Sequence, residues 1–160
     1  LPDFDHIVVA AGSGGTAAGL ALGLRLSPLR AALHAVNVQH SPESYYELID
    51  AEAQQMGATA DLGTARSWLQ IHNGGGLGYA VSSKAQLEMI ATVGAGSGVL
   101  LDHVYTGKAL HYFCEHAKAQ PEAFRGKRVL FVHTGGLPGL GAKTSELLDH
   151  VAPAEPFCPP

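Results

Sequence analysis

The chain has 160 residues, of which 46% are hydrophobic and only 15% are charged, and it contains 20 glycines. This length and composition predict one α/β domain with its own buried core. A formal net charge of −4 without any cluster of Lys or Arg argues against nucleic acid or an anionic membrane as a partner. Two cysteines outside any C-x-x-C pair are typical of an intracellular protein, and we expect a cytoplasmic or mitochondrial location.

The first predicted unit is a strand followed by a glycine-rich loop and a helix. Residues 7–9 are β-branched and predict a buried strand, residues 12–15 are G-S-G-G, and a helix rich in Ala and Leu starts at Thr16. Unpaired backbone N–H groups at a helix start attract anions, and glycine lets a phosphate group approach them closely. We therefore expect a phosphate-bearing ligand at this loop.

Three other interpretations of this stretch compete with a phosphate site. Residues 7–24 carry no charge, but five glycines and the change from strand to helix character argue against a membrane span. Residues 12–17 match the G-x-G-x-x-A dinucleotide pattern, yet no carboxylate follows the second predicted strand, which argues against a nicotinamide cofactor. A glycine turn needed only for close helix packing stays open.

The rest of the chain alternates between predicted strands and helices. Further strands are predicted at residues 33–38, 68–71, 99–102 and 128–132, and helices at residues 42–56, from Ser82 or Ser83 to 93, 109–119 and 121–124. The glycine-rich residues 94–98 follow a helix and precede a strand, so we interpret them as a helix cap and a connector. This order predicts a mostly parallel sheet flanked by helices over residues 1–152, with a Pro-rich tail over residues 153–160.

Three polar, glycine-flanked clusters follow predicted strands. They are Ser13-Gly14-Gly15-Thr16, Tyr105-Thr106-Gly107 and Thr134-Gly135-Gly136. Parallel sheets bind ligands outside the carboxyl ends of their strands, so we expect the three clusters to converge. Hydroxyl groups without metal-type ligands fit a phosphorylated aromatic cofactor.

The nine histidines and Ser13 suggest two further chemistries, and both are rejected on spacing. His111 and His116 are five residues apart on a predicted helix, and no pair has the i, i+4 spacing with a third ligand that zinc requires. We therefore predict no metal site. Ser13 does not lie in a G-x-S-x-G nucleophile motif, which argues against a hydrolase.

Three segments around these clusters resemble the D-cysteine desulfhydrase and 1-aminocyclopropane-1-carboxylate deaminase family of pyridoxal-phosphate enzymes. They are V-V-A-A-G-S-G-G-T at residues 8–16, G-V-L-L-D-H-V-Y-T-G-K at residues 98–108 and V-L-F-V-H-T-G-G-L-P at residues 129–138. Their order and spacing cover most of residues 4–140. The resemblance implies the tryptophan-synthase-β fold, known as fold type II, and pyridoxal 5'-phosphate as the cofactor.

The resemblance also implies roles for individual residues. The cofactor phosphate would be held by Ser13, Gly14, Gly15 and Thr16, with Thr106 and Gly135 as further cofactor contacts. Thr134 would approach the pyridine nitrogen, where a hydroxyl donates only a neutral hydrogen bond and leaves the ring a weaker electron sink. Tyr105 and Tyr79 match the active-site tyrosines of the family, although a packed aromatic pair is the alternative interpretation of Tyr79.

Two departures from the family pattern bear on the reaction. In the deaminase branch a Glu follows the motif tyrosine, whereas Thr106 follows it here. This favours β-elimination of D-cysteine to pyruvate, ammonia and hydrogen sulfide, with the deaminase reaction as the alternative. His103 stands where the family usually has proline, which predicts a looser approach to Tyr105.

The lysine that carries the cofactor and the loop that binds the substrate carboxylate belong to the N-terminal part of the family's chains, and neither has a counterpart here. We interpret the lysines of this chain, namely Lys84, Lys108, Lys118, Lys127 and Lys143, as surface or loop residues. We expect this chain to be the C-terminal half of a longer enzyme that forms a homodimer and takes a small amino acid as substrate. Alone it would be inactive. A non-catalytic module that binds a phosphorylated ligand is the alternative of another class.

Overall fold

A computed structural model describes residues 3–39, 41–59 and 62–151. The strands are β1 (His6–Ala11), β2 (Ala32–Asn37), β3 (Leu69–Asn73) and β4 (Val129–Val132). The longer helices are α1 (Gly15–Leu26), α2 (Pro42–Gln55), α4 (Lys84–Ser97) and α5 (Thr106–Ala119). Short helices are α3 (Ala65–Trp68), α6 (Pro121–Phe124), a 3₁₀ helix (Leu137–Lys143) and α7 (Thr144–Leu148).

The four strands form one parallel sheet in the order β3-β2-β1-β4. Val8 lies opposite His34 on one side and Phe131 on the other, so these three side chains share a face of the sheet. That face packs against α5, while the opposite face, with Val9 and Ala35 at its centre, packs against α1 and α2. The predicted α/β fold with a mostly parallel sheet is confirmed.

The predicted strand at residues 99–102 is wrong. The helix before it continues to Ser97 and ends at Gly98, whose φ of 72° makes it the cap that the glycine pattern predicts. Leu101 is buried against α4, and the N–H of Asp102 donates to the Thr106 hydroxyl instead of to a neighbouring strand. The apolar run therefore packs as a connection between α4 and α5.

Local side-chain bonds also move the start of the third strand. The Asp50 carboxylate accepts from the N–H of Ala65 at 2.6 Å, and the Trp68 indole donates to the carbonyl of Leu62 at 2.7 Å. These bonds stabilise the helical turn α3, so β3 begins one residue later than the predicted 68 and ends two residues later than 71.

Two helix starts follow the predicted capping, whereas α1 begins one residue and α5 three residues earlier than predicted. Ser41 caps α2 with Pro42 in its first turn, and Ser83 forms a capping box with Gln86 at the start of α4. The predicted tail at residues 153–160 lies outside the described residues, and the domain boundary at 152 stays a prediction. In the part of the chain that the structure describes, every helix is too short or too polar to traverse a lipid bilayer.

Candidate functional site

A cavity of about 360 Å³ lies at the carboxyl ends of β1 and β4. Five of the residues predicted for the site line it, namely Ser13, Thr16, Tyr105, Thr134 and Gly135. Ala10, Gly12, Gln39 and Gly136 complete its wall. The first and third polar clusters therefore meet at this cavity, although Thr16 and Thr134 are 118 residues apart in sequence. Tyr105 of the second cluster lies at the same cavity.

A larger cavity of about 790 Å³ lies at the opposite end of the sheet, around the start of β1. Its charged residues include Asp5 and Lys127, which are 3.0 Å apart and paired with each other. Ligands of parallel sheets bind at the carboxyl ends of the strands, where the smaller cavity lies beside a helix start. We therefore place the candidate site at the smaller cavity.

The start of α1 forms the end of the candidate site at which we expect a phosphate group. Gly14 precedes the helix with a φ of 105°, which favours glycine, and Gly15 is the first helical residue. No described side chain caps α1, and its first turn has no acidic residue, so its N–H groups are available to an anion. The exposed side chains of Ser13 and Thr16 add two hydroxyl groups, and the combination fits a phosphate group.

The loop after β4 forms the opposite wall of the cavity. The His133 ring donates from Nε2 to the carbonyl of Leu100 at 2.7 Å and accepts at Nδ1 from the N–H of Gly135 at 3.1 Å. Gly135 and Gly136 have φ angles of 105° and 94°, which side chains rarely adopt. These features hold the exposed Thr134 hydroxyl at the cavity.

Tyr105 and Tyr79 form a hydrogen-bonded pair, with 2.7 Å between their hydroxyl oxygens. Tyr105 lines the cavity and packs on Gly12, where a Cβ atom would lie 2.8 Å from the ring carbon Cε1. The hydrogen bond with Tyr79, followed by burial, raises the pKa of Tyr105 to about 12, so the phenol is protonated at neutral pH. Tyr79 is half exposed and reaches the cavity through Tyr105.

The structure does not place the Thr106 side chain at the cavity. Thr106 is fully buried, and its hydroxyl donates to Oδ1 of Asp102 at 2.7 Å while accepting from the Asp102 N–H. The Asp102 carboxylate also accepts from the backbone N–H groups of Val104, Tyr105 and Thr106, each at 2.7 Å. Asp102 and Thr106 therefore order the start of α5, which orients Tyr105.

The interpretation of Lys108 as a surface or loop residue is wrong. Its side chain is completely buried, and its ammonium group donates to the carbonyls of Gly75 and Gly78. Burial lowers the pKa of this ammonium group. Lys108 fixes the glycine-rich loop that carries Tyr79, and the described lining of the cavity contains no lysine.

Sequence reasoning missed three features of this region. Asp102 and Lys108 are charged residues inside an apolar stretch, and this signal could have indicated buried structural roles. The spacing search for metal ligands examined residues on one helix, whereas His34, His72 and His116 converge from two strands and a helix. A search within one element cannot find a cluster of that kind.

Comparisons with known proteins find related sequences and a similar fold. Residues 1–135 match the family described as pyridoxal-phosphate dependent enzyme. The bifunctional D-cysteine desulfhydrase/1-aminocyclopropane-1-carboxylate deaminase, mitochondrial, of Arabidopsis thaliana is 39% identical over 144 residues, which cover 90% of this chain and 35% of that protein. The D-cysteine desulfhydrase of Yersinia pestis is 34% identical over 143 residues, which cover 87% of this chain and 42% of that protein.

A solved structure described as an ACC deaminase homologue is similar in three dimensions. The TM-score is 0.75 at 31% sequence identity, and the match covers 92% of this chain and 44% of that one. The chain thus spans less than half the length of these relatives.

Proposed function

Because this chain belongs to the family of pyridoxal-phosphate-dependent enzymes that includes the relatives described above, we propose that it forms the cofactor-binding part of a D-cysteine desulfhydrase. The proposed reaction is β-elimination of D-cysteine to pyruvate, ammonia and hydrogen sulfide. The observation that carries the proposal is the convergence of Ser13, Thr16, Tyr105 and Thr134 on one cavity.

The residues present fit the cofactor. The free N–H groups of α1, with the hydroxyls of Ser13 and Thr16, would hold the phosphate, and Thr134 would donate a neutral hydrogen bond to the pyridine nitrogen. When bound, pyridoxal phosphate withdraws electrons from the α-carbon of an amino acid. A hydroxyl partner makes this withdrawal modest, which suits elimination of a good leaving group.

Tyr105 is the proposed proton carrier of the site. Its phenol lies at the cavity, is protonated at neutral pH and shares a short hydrogen bond with Tyr79. The Tyr105 hydroxyl can therefore hold a proton or pass it on, and when it has given the proton away the Tyr79 hydroxyl can donate a hydrogen bond to its oxygen.

The choice of desulfhydrase over deaminase rests on position 106. The resemblance places a Glu there in the deaminase branch, and this chain has Thr106, whose hydroxyl is bonded to Asp102. The deaminase reaction remains the second candidate, because the Arabidopsis thaliana relative is named for both activities.

The proposal requires that the lysine bonded to the cofactor lie outside these 160 residues, because the described residues that line the cavity include no lysine. We therefore infer that a longer polypeptide is the active form and that these 160 residues alone are inactive. That the longer form is a homodimer stays a proposal.

The test is turnover by the longer polypeptide, with the 160-residue chain as the control. We expect pyruvate and sulfide from D-cysteine and little 2-oxobutanoate from 1-aminocyclopropane-1-carboxylate. The reverse product pattern would establish the deaminase. Cofactor binding without either product would contradict both enzymes and favour a binding module.

A further inference from the structure

Three histidines meet on the face of the sheet that packs against α5. His34 comes from β2, His72 from β3 and His116 from α5, and one ring nitrogen of each lies within 4.8 Å of the others. The rings of His34 and His72 are stacked, and the His116 ring centroid lies 4.8 Å from that of His72. None of the three lines the candidate cofactor cavity.

The hydrogen bonds of His34 prepare it to bind a metal ion. Its Nε2 lies 3.0 Å from Nδ1 of His6, and its Nδ1 lies 2.9 Å from Nε2 of His72. If Nε2–H of His34 donates to His6, Nδ1 of His34 is unprotonated and accepts from Nε2–H of His72. A ligating histidine usually donates its other ring N–H to such a neighbour, which fixes the tautomer.

We propose that His34, His72 and His116 bind a zinc ion, with His6 as the hydrogen-bond partner of His34. The site goes beyond the proposed function, because it lies away from the cofactor cavity and involves none of that cavity's residues.

Zinc binding requires rotation of the three side chains, because nitrogens up to 4.8 Å apart must approach one another by as much as about 1.5 Å. Two nitrogens bound to one tetrahedral zinc at about 2.05 Å lie about 3.3 Å apart, so the His34–His72 pair must open by roughly 0.4 Å from 2.9 Å. The proton that His72 donates from Nε2 to His34 can move to Nδ1 of His72, which frees Nε2 to bind the metal. The protein therefore does not have to release a proton when the metal binds. His72 and His116 are half-buried, which leaves a fourth position open to water.

The chemistry of the donors selects the class of metal. The cluster consists of three imidazoles, and among the described residues no carboxylate or thiol belongs to it. Imidazole suits zinc and neighbouring transition metals, whereas magnesium and calcium prefer oxygen ligands.

Zinc at this site would join β2, β3 and α5. Aromatic rings surround the cluster, since Phe113 and Phe124 lie 5.7 and 6.0 Å from His34 between ring centroids. A metal that binds only the folded chain raises its melting temperature. We therefore expect zinc to stabilise the sheet against α5.

The experiment measures binding of Zn²⁺, and of Co²⁺ as a spectroscopic probe, to the full chain after treatment with a chelator. We expect one equivalent to bind, with visible Co²⁺ bands typical of nitrogen ligands, no thiolate charge-transfer band from Cys114 or Cys158, and a higher melting temperature with Zn²⁺. Absence of these bands, or a thiolate band, would overturn the proposal.

Matched variants separate this site from adventitious binding. His116→Phe keeps a ring beside Phe124 but removes the ligating nitrogen. His6→Ala removes only the hydrogen-bond partner of His34, and we expect it to lower the Zn²⁺ affinity by about 10- to 100-fold. We expect His116→Phe to lower the affinity further. His111→Phe, on the same helix but outside the cluster, is the control and leaves binding unchanged. His72→Phe provides a second ligand variant if His116→Phe does not fold. Equal binding by the ligand variants and the control would refute the site.

Discussion

Gly12 leaves room for the ring of Tyr105, so any side chain at position 12 would disturb the candidate site. A Cβ atom at position 12 would lie 2.8 Å from Cε1 of Tyr105, so Gly12→Ala must push the ring aside. Because a displacement of about 1 Å near reacting groups can cost on the order of 10²-fold in rate, we expect a fall of that order in turnover by the longer enzyme. Steady-state kinetics measure it.

Gly23→Ala is the matched control for Gly12→Ala. A Cβ atom at Gly23 meets nothing within 4 Å, and the residue is exposed on α1. Alanine is the better helix former by about 1 kcal/mol, so this variant keeps its turnover and gains slight stability. Equal losses in the two variants would contradict the role given to Gly12.

The hydrogen bond between Tyr79 and Tyr105 predicts a titration effect. This bond is the largest cause of the raised pKa of Tyr105, and it favours the neutral phenol. In Tyr79→Phe the bond is lost, so the pKa of Tyr105 should fall from about 12 toward the ordinary value of 10. NMR titration of chain labelled at the tyrosine ring measures the change.

Tyr112→Phe serves to assign the signals in that titration, because Tyr112 stacks on His116 and is not a member of the hydrogen-bonded pair of Tyr79 and Tyr105. It should leave the titration of Tyr105 as it is. An unchanged Tyr105 pKa in Tyr79→Phe would show that burial, not the bond, sets it.

The start of α5 depends on one carboxylate. Asp102 is buried and accepts four hydrogen bonds of 2.7 Å from residues 104–106. In Asp102→Asn an amide group replaces one acceptor and faces N–H donors, so we expect the free energy of unfolding to fall by about 3 kcal/mol. Urea unfolding followed by circular dichroism measures it. The exposed Asp149→Asn control should change stability by less than about 0.5 kcal/mol.

The loop that carries Tyr79 depends on α5 through Lys108. Lys108→Met keeps a side chain of similar length but removes the donor to the carbonyls of Gly75 and Gly78. Each carbonyl keeps a backbone N–H partner, from Gly78 and Val81 respectively, but loses a hydrogen bond to a charged group, which is typically worth about 1.5–3 kcal/mol. We therefore expect lower stability and faster hydrogen exchange in residues 75–79. Mass spectrometry of the exchanged amides measures it.

Lys118→Met is the control for Lys108→Met, because Lys118 is exposed and pairs only with the exposed Glu115. Surface pairs of this kind contribute little, so exchange in the loop should match that of the unchanged chain. Similar hydrogen exchange of residues 75–79 in the two variants would contradict the stabilisation of this loop by Lys108.

At the scale of the whole molecule, the parallel sheet brings two distant loops to one edge, and the candidate cavity lies between them. We expect pyridoxal phosphate to raise the melting temperature of the chain, and pyridoxal, which lacks the phosphate, to have a smaller effect. Thr16→Val should reduce the shift, whereas Thr64→Val, at an exposed position outside the cavity, should not. Calorimetry at matched ligand concentrations tests this. An equal shift with both compounds would contradict a phosphate site at α1.

The order of elements along the chain follows from the sequence to a large extent. The strand, glycine loop and helix that start at β1 and the caps at Ser41 and Ser83 are predictable, because periodicity and capping act between residues a few positions apart. The strand predicted at residues 99–102 shows the limit of this reasoning. An apolar run can be buried by a helix as well as by a sheet, and the choice here depends on Asp102 and Thr106.

By itself, then, the sequence determined the α/β class and the family, because both depend on local patterns and on short motifs in a fixed order along the chain. The assignment of residues 13–16 to a phosphate group is a prediction from the same local patterns. Only the tertiary structure decided that Thr106 faces Asp102, that Lys108 reaches residues 75–78, and that three histidines from separate elements meet. The Lys108 and histidine contacts join positions 30 or more residues apart in sequence, so no pattern of neighbouring residues encodes them. Asp102 and Thr106 are four residues apart, but their side chains face each other only because the chain turns into α5 between them.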